Sequence, residues 1–209
     1  YAPQLTRFYG CNRYIDREIG CVLDALDQRA DDDTVVIYTS DHGDMLRSHG
    51  LLSKGAMMYE EITNVPFIVR MPDGLRRHTS HALVSQLDIL PTMLDLAGID
   101  CPETMQGQSF APLLMDPNAP IHQQVMMSFN RFALNHDQFG AFYPIRCITD
   151  GRYKLAVNLL DTDELYDLQQ DPHEMSNRVH DASISEVRDY LHDALLAEMD
   201  RARDPFRTP

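Results

Sequence analysis

No apolar run in this sequence approaches the roughly 18 residues that a membrane-spanning helix needs. The longest obvious one is Val35-Val36-Ile37-Tyr38. No C-x-x-C occurs, so neither a zinc knuckle nor a redox pair is written here. Positive charge is scarce: 18 Lys and Arg stand against 32 Asp and Glu, a net charge of −14. Such a field repels a phosphate backbone. The only tight basic cluster, Arg76-Arg77, has no aromatic neighbour, so nucleic acid is not an expected partner. Internal repeats and low-complexity tracts are missing too. The chain opens at Tyr1 without an initiator methionine or a signal peptide, as a piece of a longer protein would.

What is present is ordinary for a globular chain: 209 residues, 44% hydrophobic and 24% charged. That length suggests one large domain, or one and a half, able to hold a core without staples. Cysteines stand at positions 11, 21, 101 and 147. Cys11 and Cys21 fall on one predicted helix, about 15 Å apart at the helical rise, too far to bridge. A reduced compartment is the simpler reading, and the compartment stays open.

Residues Leu5 to Arg29 read as an amphipathic helix. Leu5, Phe8, Cys11, Ile15, Ile19, Val22 and Leu26 recur at steps of three and four. Asp31-Asp32-Asp33 then reads as a solvated turn. Thr34 to Ser40 is a non-alternating β-branched and aromatic run. It predicts a strand buried on both faces, as in a central parallel strand. Val65 to Met71 is a second such strand. Ser85 to Gly98 reads as a helix with Leu90, Met93, Leu94 and Ala97 on its apolar stripe and Gly98 as its stop. The prolines at 117 and 120 mark a boundary between residues 1–118 and 119–209.

Beyond it the pattern becomes a short-strand meander: Val125 to Phe129, Tyr143 to Thr149, Tyr153 to Asn158 and Glu164 to Leu168. Asp150-Gly151 is a hairpin signal. Ser183-Ile184-Ser185-Glu186 offers a capping box for a helix carrying Ile184, Val187, Leu191, Leu195 and Met199.

The segment that points to chemistry is Thr39-Ser40-Asp41-His42-Gly43-Asp44. In open α/β sheets ligands bind beyond the carboxyl ends of strands. Asp41 and His42 put a carboxylate and an imidazole at that rim, a pair able to share a divalent metal. Gly43 permits an unusual backbone conformation or a close approach. Asp44 reads as a loop carboxylate. Lys54, thirteen residues after Asp41, adds a cation that can neutralise a tetrahedral oxyanion. His49 between them can bind substrate, donating to the anion or to a leaving group, or it can equally support a ligand from behind or sit on the surface. The remaining histidines show no ligand spacing, and Met57-Met58 reads as packing.

These residues resemble the second half of the sulfatase family, within the alkaline-phosphatase superfamily. The resemblance runs through Val36-Ile37-Tyr38-Thr39-Ser40-Asp41-His42-Gly43-Asp44, His49-Gly50-Leu51-Leu52-Ser53-Lys54-Gly55 and Val65-Pro66-Phe67-Ile68-Val69-Arg70. It continues in Asp88-Ile89-Leu90-Pro91-Thr92, Gly107-Gln108-Ser109-Phe110 and Glu164-Leu165-Tyr166-Asp167-Leu168 with Asp171-Pro172 and Asn177. It covers roughly Tyr9 to Arg178.

The resemblance implies an α/β fold: part of a mixed sheet flanked by helices, plus a small carboxy-terminal antiparallel sheet with a helix. It implies sulfuric ester hydrolysis, with Asp41 and His42 as metal ligands and Lys54 as the catalytic, oxyanion-binding lysine. The implied metal is calcium, with magnesium or manganese as alternatives, and His42 leaves zinc open. The implied substrate is a small sulfate or phosphonate ester.

One departure is large. The family's nucleophile is a formylglycine made in a C/S-x-P-S/A-R motif, and none occurs in these 209 residues. The expectation is therefore a carboxy-terminal part holding half a metal site, with formylglycine upstream. The partner would be the missing amino-terminal half or a second copy. Rival readings are a non-catalytic metal- or partner-binding remnant, and a phosphatase-like relative with Thr6 or Thr34 as nucleophile. An incomplete sheet also predicts an exposed edge and apolar face.

Overall fold

A computed structural model describes residues 2–29, 33–72, 78–131 and 142–207. Asp31, Asp32, Arg76, Arg77 and His136 lie outside the described residues. The chain is a mixed α/β structure with two antiparallel sheets and flanking helices, as the fold class expected.

Helix α1 (Ala2–Arg29) covers the predicted helix. Its apolar stripe packs on little: Ile15 is 52% and Val22 67% exposed. Near its end Asp27 pairs with Arg70 at 3.0 Å.

Strands β1 (Val36–Thr39) and β2 (Phe67–Arg70) form the first sheet, antiparallel, with Tyr38 opposite Ile68. This corrects the parallel reading. An unbroken apolar run records how much of a strand should be covered, not which way its neighbour runs. The expected burial on both faces is not met among the described residues, since Tyr38 and Ile68 are both exposed.

Between these strands lies the short helix α2 (Glu60–Thr63). After them comes a 3-10 turn over Gln86–Asp88 leading into α3 (Ile89–Leu96). Ser85 and Asp88 form a capping box there that sequence reading missed. Asp88 is fully buried. Its carboxylate accepts from the backbone N–H of Ser85 and Gln108 and meets His122 Nε2 at 2.8 Å. Gly98 takes φ +67° and stops the helix as expected. The predicted stripe of α3 does not face inward: Leu90 and Met93 are half exposed, while Pro91 and Thr92 are buried.

The second sheet is a meander of β3 (Val125–Arg131), β4 (Phe142–Thr149), β5 (Tyr153–Asn158) and β6 (Glu164–Asp167), in that order and antiparallel throughout. Helix α4 (Ser185–Ala202) covers one face. Ile148, Leu155 and Leu165 lie opposite one another across three strands and pack with Leu191, Leu195 and Met199. Successive residues alternate between faces. The other face therefore presents Ile145, Cys147 and Ala156, and Met58 packs on it.

Two local expectations shift by a few residues. The β4–β5 turn has Gly151-Arg152 at its tip. Asp150 stands one place earlier, and its carboxylate accepts from the N–H groups of Arg152 and Tyr153. The start of α4 is held by Asp181, which accepts from Ser183 N, rather than by a Ser183–Glu186 box. Asp181 wins because a 3-10 turn over Ala182–Ile184 precedes the helix. No described helix is long and apolar enough to cross a membrane.

Candidate active site

Strand β1 delivers the chain to the sheet rim at Thr39, and the next residues turn sharply. The carbonyls of Ser40 and Asp41 both accept from Gln86 Nε2, at 2.7 and 2.9 Å. Ser40 Oγ donates to the His42 carbonyl at 2.8 Å. These bonds fix the backbone and leave the Asp41 side chain 83% exposed.

Gly43 is needed for space. Its N–H donates to the Ile62 carbonyl at 3.0 Å, and a Cβ there would stand 1.7 Å from the Glu61 carbonyl oxygen. Its φ is not in the left-handed region, so of the two roles expected for this glycine only the close approach applies. The left-handed backbone falls instead on Gly50 and on four non-glycine residues: Leu46, Arg47, His49 and Ser53. On a non-glycine residue such conformations cost on the order of 1–3 kcal/mol each and persist only where the surroundings enforce them. Here Met45 is fully buried, and the loop is laced by Met45 N to Ser53 O and Arg47 N to Leu51 O. Asp44 accepts from Leu46 N, the loop role expected of it.

The structure brings Asp41 and His42 together. His42 Nδ1 lies 2.8 Å from the Gly43 carbonyl oxygen. A carbonyl only accepts, so Nδ1 carries the proton. The other ring nitrogen, Nε2, faces Asp41 Oδ2 at 3.4 Å. Two ligands at right angles on a cation with bonds of about 2.1–2.4 Å stand about 3.0–3.4 Å apart. The two donor atoms are thus spaced as neighbouring ligands of one divalent ion would be, and a backbone carbonyl orients the imidazole from behind. Asp41 is held below the usual carboxylate range. The His42 N–H donated to it leads, against slight burial, and the His42 ring and the Lys54 ammonium add to it. No group of three or more His, Cys, Asp or Glu side chains able to hold a metal occurs among the described residues.

Lys54 is exposed, and its charge reaches Asp41. The His49 ring stacks on that of Tyr59, with centroids 3.9 Å apart and planes 9° from parallel. Three contributors were not read from the sequence. Gln86 gave no signal, being one amide in a polar turn. Tyr59 gave none either. Lys154 did, as a lysine inside a buried strand. A separate cleft of about 290 Å³ beside Asp88, His122 and Glu198 is lined by none of Asp41, His42, His49 and Lys54.

All four cysteines are free. Burial pushes the Cys147 thiol up to about 12, so it is inert.

The family model described as N-sulphoglucosamine sulphohydrolase, C-terminal, matches residues 48–201. The uncharacterized sulfatase YidJ of Escherichia coli K12 is 45% identical over 201 residues, 96% of this chain and 39% of that protein. The structure of BT4656 in complex with its substrate D-glucosamine-2-N,6-O-disulfate superposes with a TM-score of 0.82 at 28% identity, covering 92% of this chain and 40% of that one. A phosphonate monoester hydrolase of Agrobacterium radiobacter superposes with a TM-score of 0.75 at 26% identity, over 90% of this chain and 39% of that one. The chain thus spans about two fifths of the length of the relatives it matches, and it belongs to the sulfatase family.

Proposed function

We propose that this chain contributes the Asp41–His42 metal ligands and the Lys54 oxyanion contact to a sulfuric ester hydrolase. The observation that supports the reading is the placement of His42 Nε2 3.4 Å from Asp41 Oδ2, with Nδ1 turned to the Gly43 carbonyl. A divalent cation held there, calcium first and magnesium or manganese as alternatives, would supply Lewis-acid charge to an ester oxyanion. Asp41 stays anionic across the working pH range because its carboxyl is already held low. Lys54 binds a second oxyanion oxygen, and its attraction grows as negative charge builds during displacement. His49 faces the ester side and donates to the oxyanion or the leaving oxygen. The nucleophile, a formylglycine by family resemblance, comes from sequence that the longer relatives have and these 209 residues do not contain.

The matched family's description and the substrate bound to BT4656 make a sulfated amino sugar the first substrate to try. The likeness to a phosphonate monoester hydrolase supports a second reading, a phosphonate or phosphate monoester as substrate. The full-length protein separates them. We expect sulfate release from glucosamine sulfates and aryl sulfates with kcat/KM above that for phenyl phosphonates. The reverse order would favour the second reading. No turnover of either class, with metal bound, would leave the non-catalytic reading.

A further inference from the structure

The ring that meets His49 belongs to a residue clamped on both sides. Lys154, on β5, is 1% exposed, and its ammonium has three partners. It donates to the Met58 carbonyl at 2.9 Å and pairs with Glu60 at 2.7 Å and Glu174 at 2.8 Å. Glu174 in turn accepts from the backbone N–H of Glu60 at 2.7 Å. Met58 and Glu60 flank Tyr59, so the carboxy-terminal sheet grips the chain immediately before and after that residue. The Tyr59 ring also lies beside that of Tyr166 on β6, with centroids 6.2 Å apart. Burial alone would pull the Lys154 ammonium down, but the Glu174 and Glu60 carboxylates outweigh it and keep it charged.

His49 sits in the strained loop, with the Glu61 carboxylate close enough for its charge to be felt. Its backbone is left-handed, at φ 52° and ψ 17°, in a loop with three other non-glycine residues at positive φ. The ring that stacks on it is Tyr59. A β-sheet core with a buried ion cluster is a rigid anchor, and a strained loop needs one.

We propose that Tyr59, anchored by Lys154, Glu60 and Glu174, is the positioning residue that sets the His49 ring against the ester. This rests on the sulfatase reading, in which His49 faces substrate. Tyr59 touches no reacting atom; it acts through the stack.

The test uses the intact enzyme. With His49→Ala as reference, Tyr59→Leu should lower kcat by about tenfold to a hundredfold, the scale of a small misplacement of a catalytic group, with KM little changed. The double variant should be no slower than His49→Ala alone. Tyr59→Phe, which keeps the ring, should recover most of the rate. Histidine NMR on the enzyme without substrate supplies a readout independent of turnover. In the wild type the His49 ring protons should be shifted upfield by the stacked tyrosine, and Tyr59→Leu should release that shift while the thermal midpoint holds. Losses that multiply in the double variant would overturn the proposal. So would His49 resonances unmoved by Tyr59→Leu. An enzyme that releases no sulfate but shows the ring shift would count against the sulfatase reading and keep the positioning.

Discussion

The carboxy-terminal sheet and helix bury their apolar residues, whereas α1, α3 and the β1–β2 pair leave theirs in the open. Leu155, Leu165, Leu191 and Leu195 are almost wholly covered, while Ile15, Ile68, Leu90 and Met93 are each more than half exposed. The candidate site belongs to the second group: Asp41, His42 and Lys54 all follow the poorly covered β1. A stable core and a chemical site are thus separate properties of this chain. The first anchors the second through Met58, Glu60 and Lys154. Contiguous exposed apolar faces normally mark an interface. We propose that the part of the catalytic domain present in the longer relatives covers them.

If the division is real, substitutions in the two regions should fail in different currencies. The largest stability effect should come from Lys154→Met. It leaves Glu174 and Glu60 without their counter-charge, and breaking a buried pair on one side costs about 3–5 kcal/mol. Urea unfolding of the intact protein checks this, and a loss below 1 kcal/mol would mean that the cluster anchors nothing. Lys54→Ala should do the opposite, leaving the unfolding midpoint and metal content alone while kcat drops about a hundredfold to a thousandfold, the usual loss for one oxyanion contact. Unchanged turnover would remove Lys54 from the site.

Gly43→Ala should cross the boundary between the two classes. The new methyl group meets the backbone of Glu61 rather than a movable side chain, so the loop or α2 must shift. We expect about 1–3 kcal/mol of destabilisation, as for overpacking, together with weaker metal binding. Calorimetric titration with calcium would show both regions disturbed at once.

The smallest effect is pH-dependent and confined to the carboxy-terminal region. Ser183 and Arg178 hold the Asp181 carboxyl down to about 2. A depressed folded-state pKa gives stability that is complete above the unfolded value and lost as pH falls through the folded one. Melting temperature should therefore fall between about pH 4 and pH 2, and Asp181→Asn should flatten part of that slope. An unchanged slope would remove Asp181 as a cap.

The same division decides what could be read from sequence. The meander and α4 were legible because each element there is covered by others in the same chain, so periodicity and turn residues agree with burial. Strand limits such as Tyr153–Asn158 came out as expected. In the other region a pattern of apolar residues says that a face is meant to be covered, and nothing within the described residues covers it. That is why the stripes of α1 and α3 were expected inward, and why β1 was read as a parallel central strand. The site itself was half legible. Asp41, His42 and Lys54 follow one another closely in an ordered motif. Gln86 and Tyr59 reach the loop only through folding, and no spacing announces a contact between residues 40 and 86. Lys154 was visible as an oddity, a charge in an apolar strand, but its purpose depended on Glu60 and Glu174 arriving from distant segments.

The central claim is that Asp41 and His42 share one divalent cation that sulfate release requires. The direct measurement is sulfate release by the full-length protein after chelation and calcium return, for wild type and for Asp41→Ala with an unchanged melting profile. The account predicts that calcium restores the wild type and that Asp41→Ala stays at least about a thousandfold slower at saturating calcium, as expected when metal-assisted charge stabilisation is lost. An Asp41→Ala protein that regains wild-type turnover on calcium addition would contradict it.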